Sequence, residues 1–387
     1  MDEEMKRLNY MSIKYPKYKK YIFDYLAKYG KIKITNSFNI VDSLILSIFS
    51  YYHYNSLNFD GELSIKEIIK DIILDEKLLL SKEYKSLLYK LTCPRYSNIK
   101  IIKYKEILSK EDEEQFKAYT FKINERTIFI SFSGTDNSII GWKEDFNMAF
   151  KELVPSQYEA YLYLKEYENQ NYQNIYIGGH SKGGNLAIYS FINQSSEFQC
   201  KIKKVFNFDG PGFLKNLSDY KCFESIKSKI IKIVPDSSVV GTLLNYDFPY
   251  YVIKSNGVSV KQHYPFYWRI KNKNFYYLKN INRSSLIFNK AVSEIISTIS
   301  LSDRERFVNL IYLLFVKLDV KTISEIKLDL SNIIRTFIKE INKLNRQDKK
   351  FMFTIGKLIL KLYLKNSFSI KEDNIINNTI FKNIFYI

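Results

Sequence analysis

Histidine is nearly absent from this 387-residue sequence, which holds only His53, His180 and His263. Cysteine is as scarce: Cys93, Cys200 and Cys222 are odd in number and widely spaced, with no C-x-x-C pair and no histidine cluster nearby. That excludes a disulfide framework and a cysteine-built metal centre, and it predicts free, mostly buried thiols in a reducing compartment. No stretch reaches the ~18 consecutive apolar residues of a membrane-spanning helix, because the best candidates, 40–52 and 309–315, are short and bounded by charge. The opening MDEEMKRLNYMSIKYPKYKK puts acidic residues first and has neither the apolar segment nor the small-residue cleavage site of a secretory signal. The expected location is therefore cytoplasmic.

Charge of one sign is plentiful. The chain carries 59 Lys and Arg against 41 Asp and Glu, a net +18. Lys, Ile, Asn and Tyr are abundant together, as AT-rich bacterial genomes produce, and there is no Arg-rich, aromatic-interleaved focus of the kind a nucleic-acid groove needs. No nucleic-acid partner is expected. The surplus is C-terminal, with 21 Lys or Arg against 10 Asp or Glu in residues 271–387. FMFTIGKLILKLYLK, 351–365, is basic and apolar. It fits either a helix resting on an anionic membrane, which would make the protein membrane-peripheral, or, the preferred reading, a helix packed on the main domain with solvated lysines.

Three textures divide the chain. Residues 1–95 read as a helical region packed on the core, with an N-cap and acidic N3 signature at SIKE, 64–67. Residues 96–283 hold short β-branched and aromatic runs at 118–123, 127–132, 175–177, 205–208, 230–234 and 250–253, separated by helical patterns at 142–153, 157–170 and 184–193. Strand-helix alternation predicts an α/β fold with a mostly parallel central sheet and helices on both faces. Residues 284–387 read as a basic helical region with candidate helices at 287–299, 303–318, 323–344 and 346–364.

The chemistry concentrates at NIYIGGHSKGGNLAIYS, 174–190, where an apolar strand runs into Gly179-His180-Ser181-Lys182-Gly183 and then into a helix of small residues. This is G-x-S-x-G in the strand-turn-helix context that gives the motif its meaning, the nucleophile elbow of α/β hydrolases. A serine raised on so tight a turn leaves no room for side chains two positions away, hence the glycines. It also sits at the amino end of a helix, where the Lys182 backbone N–H can stabilise a developing oxyanion.

Serine needs a base, and a base needs a carboxylate to fix its tautomer. His180 adjoins Ser181 and diverges from it, which predicts a packing or hydrogen-bonding role beneath the turn. His53 precedes the sheet, whereas the hydrolase order is Ser, acid, His. His263, in a loop after the last predicted strand, is the expected base. Asp236 ends the strand IKIVPD and is the first choice of acid; Asp209, in FNFDGPG, is the alternative. The run SFSGTD, 131–136, supplies a second oxyanion donor in Thr135, through its N–H, its hydroxyl or both. In the following GWKEDF, Trp142 is expected to anchor this loop by packing and Asp145 by hydrogen bonding. No metal or organic cofactor is implied.

SFSGTD, WKEDF and GGHSKGG together resemble the class 3 (fungal-type) lipases over about residues 115–265. NSFNIVDSLILSIFSYY, NFDGPGF, VPDSSVVGTLL and QHYPFYW extend the likeness over most of the chain to the bacterial Mbeg-like proteins, a lipase-like family. The resemblance implies an α/β-hydrolase core with Ser181 as nucleophile, His263 as base, Asp236 as acid and Thr135 at the oxyanion hole. The expected activity is hydrolysis of a carboxylic ester, a small-molecule acyl ester or a lipid or phospholipid. Acyl transfer, thioester cleavage and peptide cleavage use the same triad, and an inactive binding protein of the same fold is the alternative outside catalysis.

Overall fold

The computed structural model describes residues 21–56, 58–73, 81–136, 138–220, 223–317 and 339–369. Its centre is a nine-stranded sheet whose strands lie side by side in chain order: β1 (Asn58–Ser64), β2 (Lys100–Ser109), β3 (Glu114–Asn124), β4 (Thr127–Phe132), β5 (Asn174–His180), β6 (Ile202–Phe208), β7 (Ile230–Pro235), β8 (Tyr250–Ile253) and β9 (Tyr277–Leu278). Neighbours from β4 to β8 are parallel. Those from β1 to β4, and β8 with β9, are antiparallel. The sheet is thus only partly parallel, against the expectation of a mostly parallel one. The reason is connection length: β2, β3 and β4 are joined by links too short for a crossover, which only antiparallel neighbours accept.

Helices α1 (Ile22–Tyr29), α2 (Ile40–Phe49) and α3 (Ser81–Lys90) precede β2. All ten residues of α2 are buried, its apolar residues lying on more than one face and its Asp42, Ser43 and Ser47 hydrogen-bonded within the chain, and it lies against β4 and β5. On the other face of the sheet sit α4 (Ile139–Asn147), α5 (Pro155–Lys165) and α6 (Lys182–Ile192). Alternate strand residues divide between two cores, as a period of two dictates. Phe129, Phe206 and Phe208 pack with Leu44, Ile45 and Phe49 of α2. Ile128, Ile130 and Val205 pack with Leu164, Leu186 and Ile188.

Two expectations are corrected here. The N-terminal region is not wholly helical, because residues 58–64 form β1, an edge strand paired with β2. The half-buried Cys93 and exposed Cys200 are not buried thiols; Cys222 lies outside the described residues. The C-terminal helices α7 (Arg283–Thr298), α8 (Leu301–Lys317) and α9 (Arg346–Ser369) occupy the segments read as helical, while the helix expected at 323–344 falls largely outside the described residues. Helix α8 packs on α4, where Arg304 donates to the Ala149 carbonyl at 3.0 Å. Helix α9 buries Met352, Ile355 and Leu362 and exposes Phe353, Leu360 and Leu364. Among the described residues no helix is long and apolar enough to cross a membrane.

Candidate active site

Strand β5 delivers its last residue, His180, to the carboxyl edge of the parallel strands, and Ser181 follows with φ 59° and ψ −133°. That is a costly conformation for a residue with a Cβ. It is held by the surroundings: the Ser181 N–H donates to the Phe208 carbonyl of β6 at 2.9 Å, and the Ser181 carbonyl accepts from Gly184 at 2.9 Å. The flanking glycines are there for space. A Cβ on Gly183 would lie 2.1 Å from the Phe132 carbonyl oxygen, and one on Gly179 would lie 2.3 Å from the Gly183 backbone.

The structure brings His263 to Asp209. His263 Nδ1 donates to Asp209 Oδ2 at 2.7 Å, which leaves Nε2 as the nitrogen with a free lone pair. Asp209 follows β6, next to the serine strand, with φ 55°. Its other oxygen accepts from Ser238 Oγ at 2.5 Å and from the Gly241 N–H at 3.2 Å. The first-choice acid, Asp236, is not at the histidine. It follows β7, one strand further from Ser181, and its carboxylate accepts from Lys254 Nζ at 2.7 Å and from the Ser255 N–H at 3.0 Å. Both aspartates obey the chain order; strand position separates them.

The loop after β4 carries Thr135, whose hydroxyl donates to Asp145 Oδ2 at 2.6 Å. The hydroxyl is thereby committed, and the backbone N–H is the group Thr135 has left for a ligand. Trp142, expected to anchor the loop, instead lies at the surface, 36% exposed and against Phe146. Asp145 does the holding. Lys182, the first residue of α6, buries its side chain completely and donates to Glu144 Oε2 at 2.7 Å and to the Gln115 backbone carbonyl at 2.6 Å. Glu144 also accepts from the backbone N–H groups of Gln115 at 3.0 Å and Ser156 at 2.9 Å. This ion pair ties the amino end of α6 to α4 and β3. Sequence reasoning missed Glu144, although a lysine in an otherwise small and apolar helix start signals a buried partner.

Burial pushes the Asp145 carboxyl from its ordinary 3.8 up to about 6, against the pull of the Lys182 charge and the Thr135 hydrogen bond. Among the described residues its Oδ1 has no hydrogen-bond partner. Because the folded value lies above the unfolded one, the folded state binds the extra proton, and the stability this group contributes is full below about pH 4 and is lost as pH rises through 6. Asp145→Asn does not titrate. Relative to wild type it should gain ~1–3 kcal/mol between pH 4 and 7.5, read from urea unfolding at both pH values; a difference that stays flat with pH contradicts this account.

The remaining two histidines are also placed. His53 Nδ1 donates to Glu106 at 2.7 Å and its Nε2 accepts from the buried Lys117 Nζ at 3.1 Å, away from the serine. His180 lies under His263, with ring centroids 4.5 Å apart. The arrangement is thus an α/β sheet with a strained serine at a parallel strand edge and a histidine–aspartate pair beside it. The chain belongs to the Mbeg1-like family, whose model matches residues 91–313, more than half of its length. Among solved structures it is similar to one described as the crystal structure of M37 lipase, at 16% identity and a TM-score of 0.34, over 62% of this chain and 84% of that one. No curated protein matches it.

Proposed function

We propose that the protein is a serine hydrolase of the α/β-hydrolase type, related to the class 3 lipases, that cleaves carboxylic esters with Ser181, His263 and Asp209. The observation that carries this reading is the 2.7 Å bond from His263 Nδ1 to Asp209 at the edge where Ser181 is held. Asp209 fixes the tautomer, so Nε2 takes the Ser181 proton as Oγ attacks the acyl carbon. The carbonyl oxygen becomes an oxyanion stabilised by the Thr135 and Lys182 backbone N–H groups. Collapse breaks the ester C–O bond, the alcohol leaves with the proton from His263, and water, activated the same way, releases the acid and restores Ser181. Acyl transfer differs only in replacing that water by another alcohol or thiol.

Lipid esters are the favoured substrates within this reading, presented by an anionic membrane that Phe353, Leu360 and Leu364, exposed among lysines on α9, would meet. An alkyl fluorophosphonate probe tests the chemistry. The wild-type protein should label stoichiometrically and hydrolyse p-nitrophenyl acyl esters, and Ser181→Ala should abolish both with its melting temperature unchanged. An unlabelled, folded wild-type protein would favour the binding-protein alternative and end the enzymatic reading.

A further inference from the structure

The amino-terminal segment reaches the site through one side chain. Tyr51 follows α2 and lies outside the residues matched by the family model. It is buried, 7% exposed, as is His180 at 2%. Its phenol oxygen lies 2.8 Å from His180 Nδ1 and 3.4 Å from the His180 backbone oxygen. The same oxygen fills the space over the loop after β4: a Cβ on Gly134 would come within 2.0 Å of it.

The proton positions follow from what each partner can do. His180 Nε2 is 2.7 Å from the backbone oxygen of His263, and a carbonyl only accepts, so Nε2 carries the proton. His180 Nδ1 is then an acceptor, and the bond to it comes from the Tyr51 O–H. Neither group is charged near neutral pH. Burial holds the phenol far above its ordinary value. Burial, followed by the neighbouring His263, holds the His180 imidazole well below its own.

We propose that Tyr51 and His180 are positioning residues for His263: the His263 carbonyl sets the Nε2–H tautomer of His180, the phenol donates to the Nδ1 this leaves free, and the imidazole so held grips the His263 backbone and keeps the His263 ring over the serine elbow. The histidine of the elbow and the amino-terminal segment are therefore parts of one catalytic apparatus. The role in catalysis rests on the hydrolase reading above; the hydrogen-bond relay does not.

Tyr51→Phe removes the hydroxyl and keeps the ring. Tyr52→Phe is the control, because Tyr52 is fully buried and its hydroxyl donates to the Tyr84 carbonyl at 2.7 Å. Imidazole 15N spectra are readily assigned in a chain with three histidines. Wild type should show His180 as the single Nε2–H tautomer from pH 6 to 8, and Tyr51→Phe should shift the His180 Nδ1 signal as its hydrogen-bond donor is lost. On a p-nitrophenyl ester, Tyr51→Phe should lower kcat about 10- to 100-fold with KM changed less than about threefold, while Tyr52→Phe keeps wild-type kcat. His180 found protonated or as Nδ1–H in the wild type, or equal kcat values for the two variants, overturns the proposal. If the wild type neither labels nor turns over, the hydrolase reading has failed instead, and the tautomer spectra decide the relay by themselves.

Discussion

Asp209→Asn should lower kcat/KM by about ten-thousandfold, the scale set by the corresponding change in a serine protease triad. The asparagine amide can present N–H to His263 Nδ1, which turns the ring nitrogen into an acceptor and leaves the proton on Nε2, where the base must be free. The Ser238 and Gly241 donors that hold Oδ1 would keep the side chain in place, so the loss is one of tautomer and not of fold. Asp236→Asn is the informative contrast. It weakens the contact with Lys254 and Ser255 and should leave kcat/KM within about threefold, since no reacting group touches it. Steady-state rates on one ester, with circular dichroism on each variant, separate the two. Equal losses at both positions would remove Asp209 from the triad.

Asp42→Ala should cost ~3–5 kcal/mol of stability, the range for stripping one partner from a buried ion pair. Asp42 and Arg95 both have fully buried side chains, joined at 2.5 Å. Asp42 Oδ1 accepts from Arg95 Nε at 2.8 Å, Tyr25 at 2.9 Å and Tyr96 at 2.5 Å, and Oδ2 accepts from the Asn39 N–H at 3.0 Å. Alanine would leave a guanidinium and two phenols in the interior without their acceptor. The double change Asp42→Leu with Arg95→Met removes the charges together and should cost far less than the two single changes added. Urea unfolding of the three variants measures this. A loss below ~1 kcal/mol for Asp42→Ala would mean that water reaches the site. The network bears on the proposed site through α2, which it caps and which Tyr51 follows.

What was legible in the sequence, and what was not, can be traced to individual residues. The runs that became β4 to β8 announced themselves because each is apolar and bounded by turns. Strand β1, NFDGELS, did not, since most of its side chains are exposed at the sheet edge and it carries no apolar alternation. The elbow at Ser181 was readable because its glycines are a local steric demand. The hydrogen bond from Thr135, in the loop after β4, to Asp145 could be expected from their nearness in sequence, whereas the ion pair of Lys182 with Glu144 joins residues 38 positions apart.

The sequence by itself determined the α/β alternation, the serine on its glycine-flanked turn and, through the scarcity of histidine, a very short set of candidate bases. Local spacing and composition carry that information. Only the tertiary structure decided that Asp209 and not Asp236 meets His263, because both aspartates directly follow parallel strands and the choice depends on which strand lies beside β5. It alone brought Tyr51 to His180, across 129 positions of chain, because contacts between a helix and the strand edge beneath it follow from packing, which leaves no local pattern.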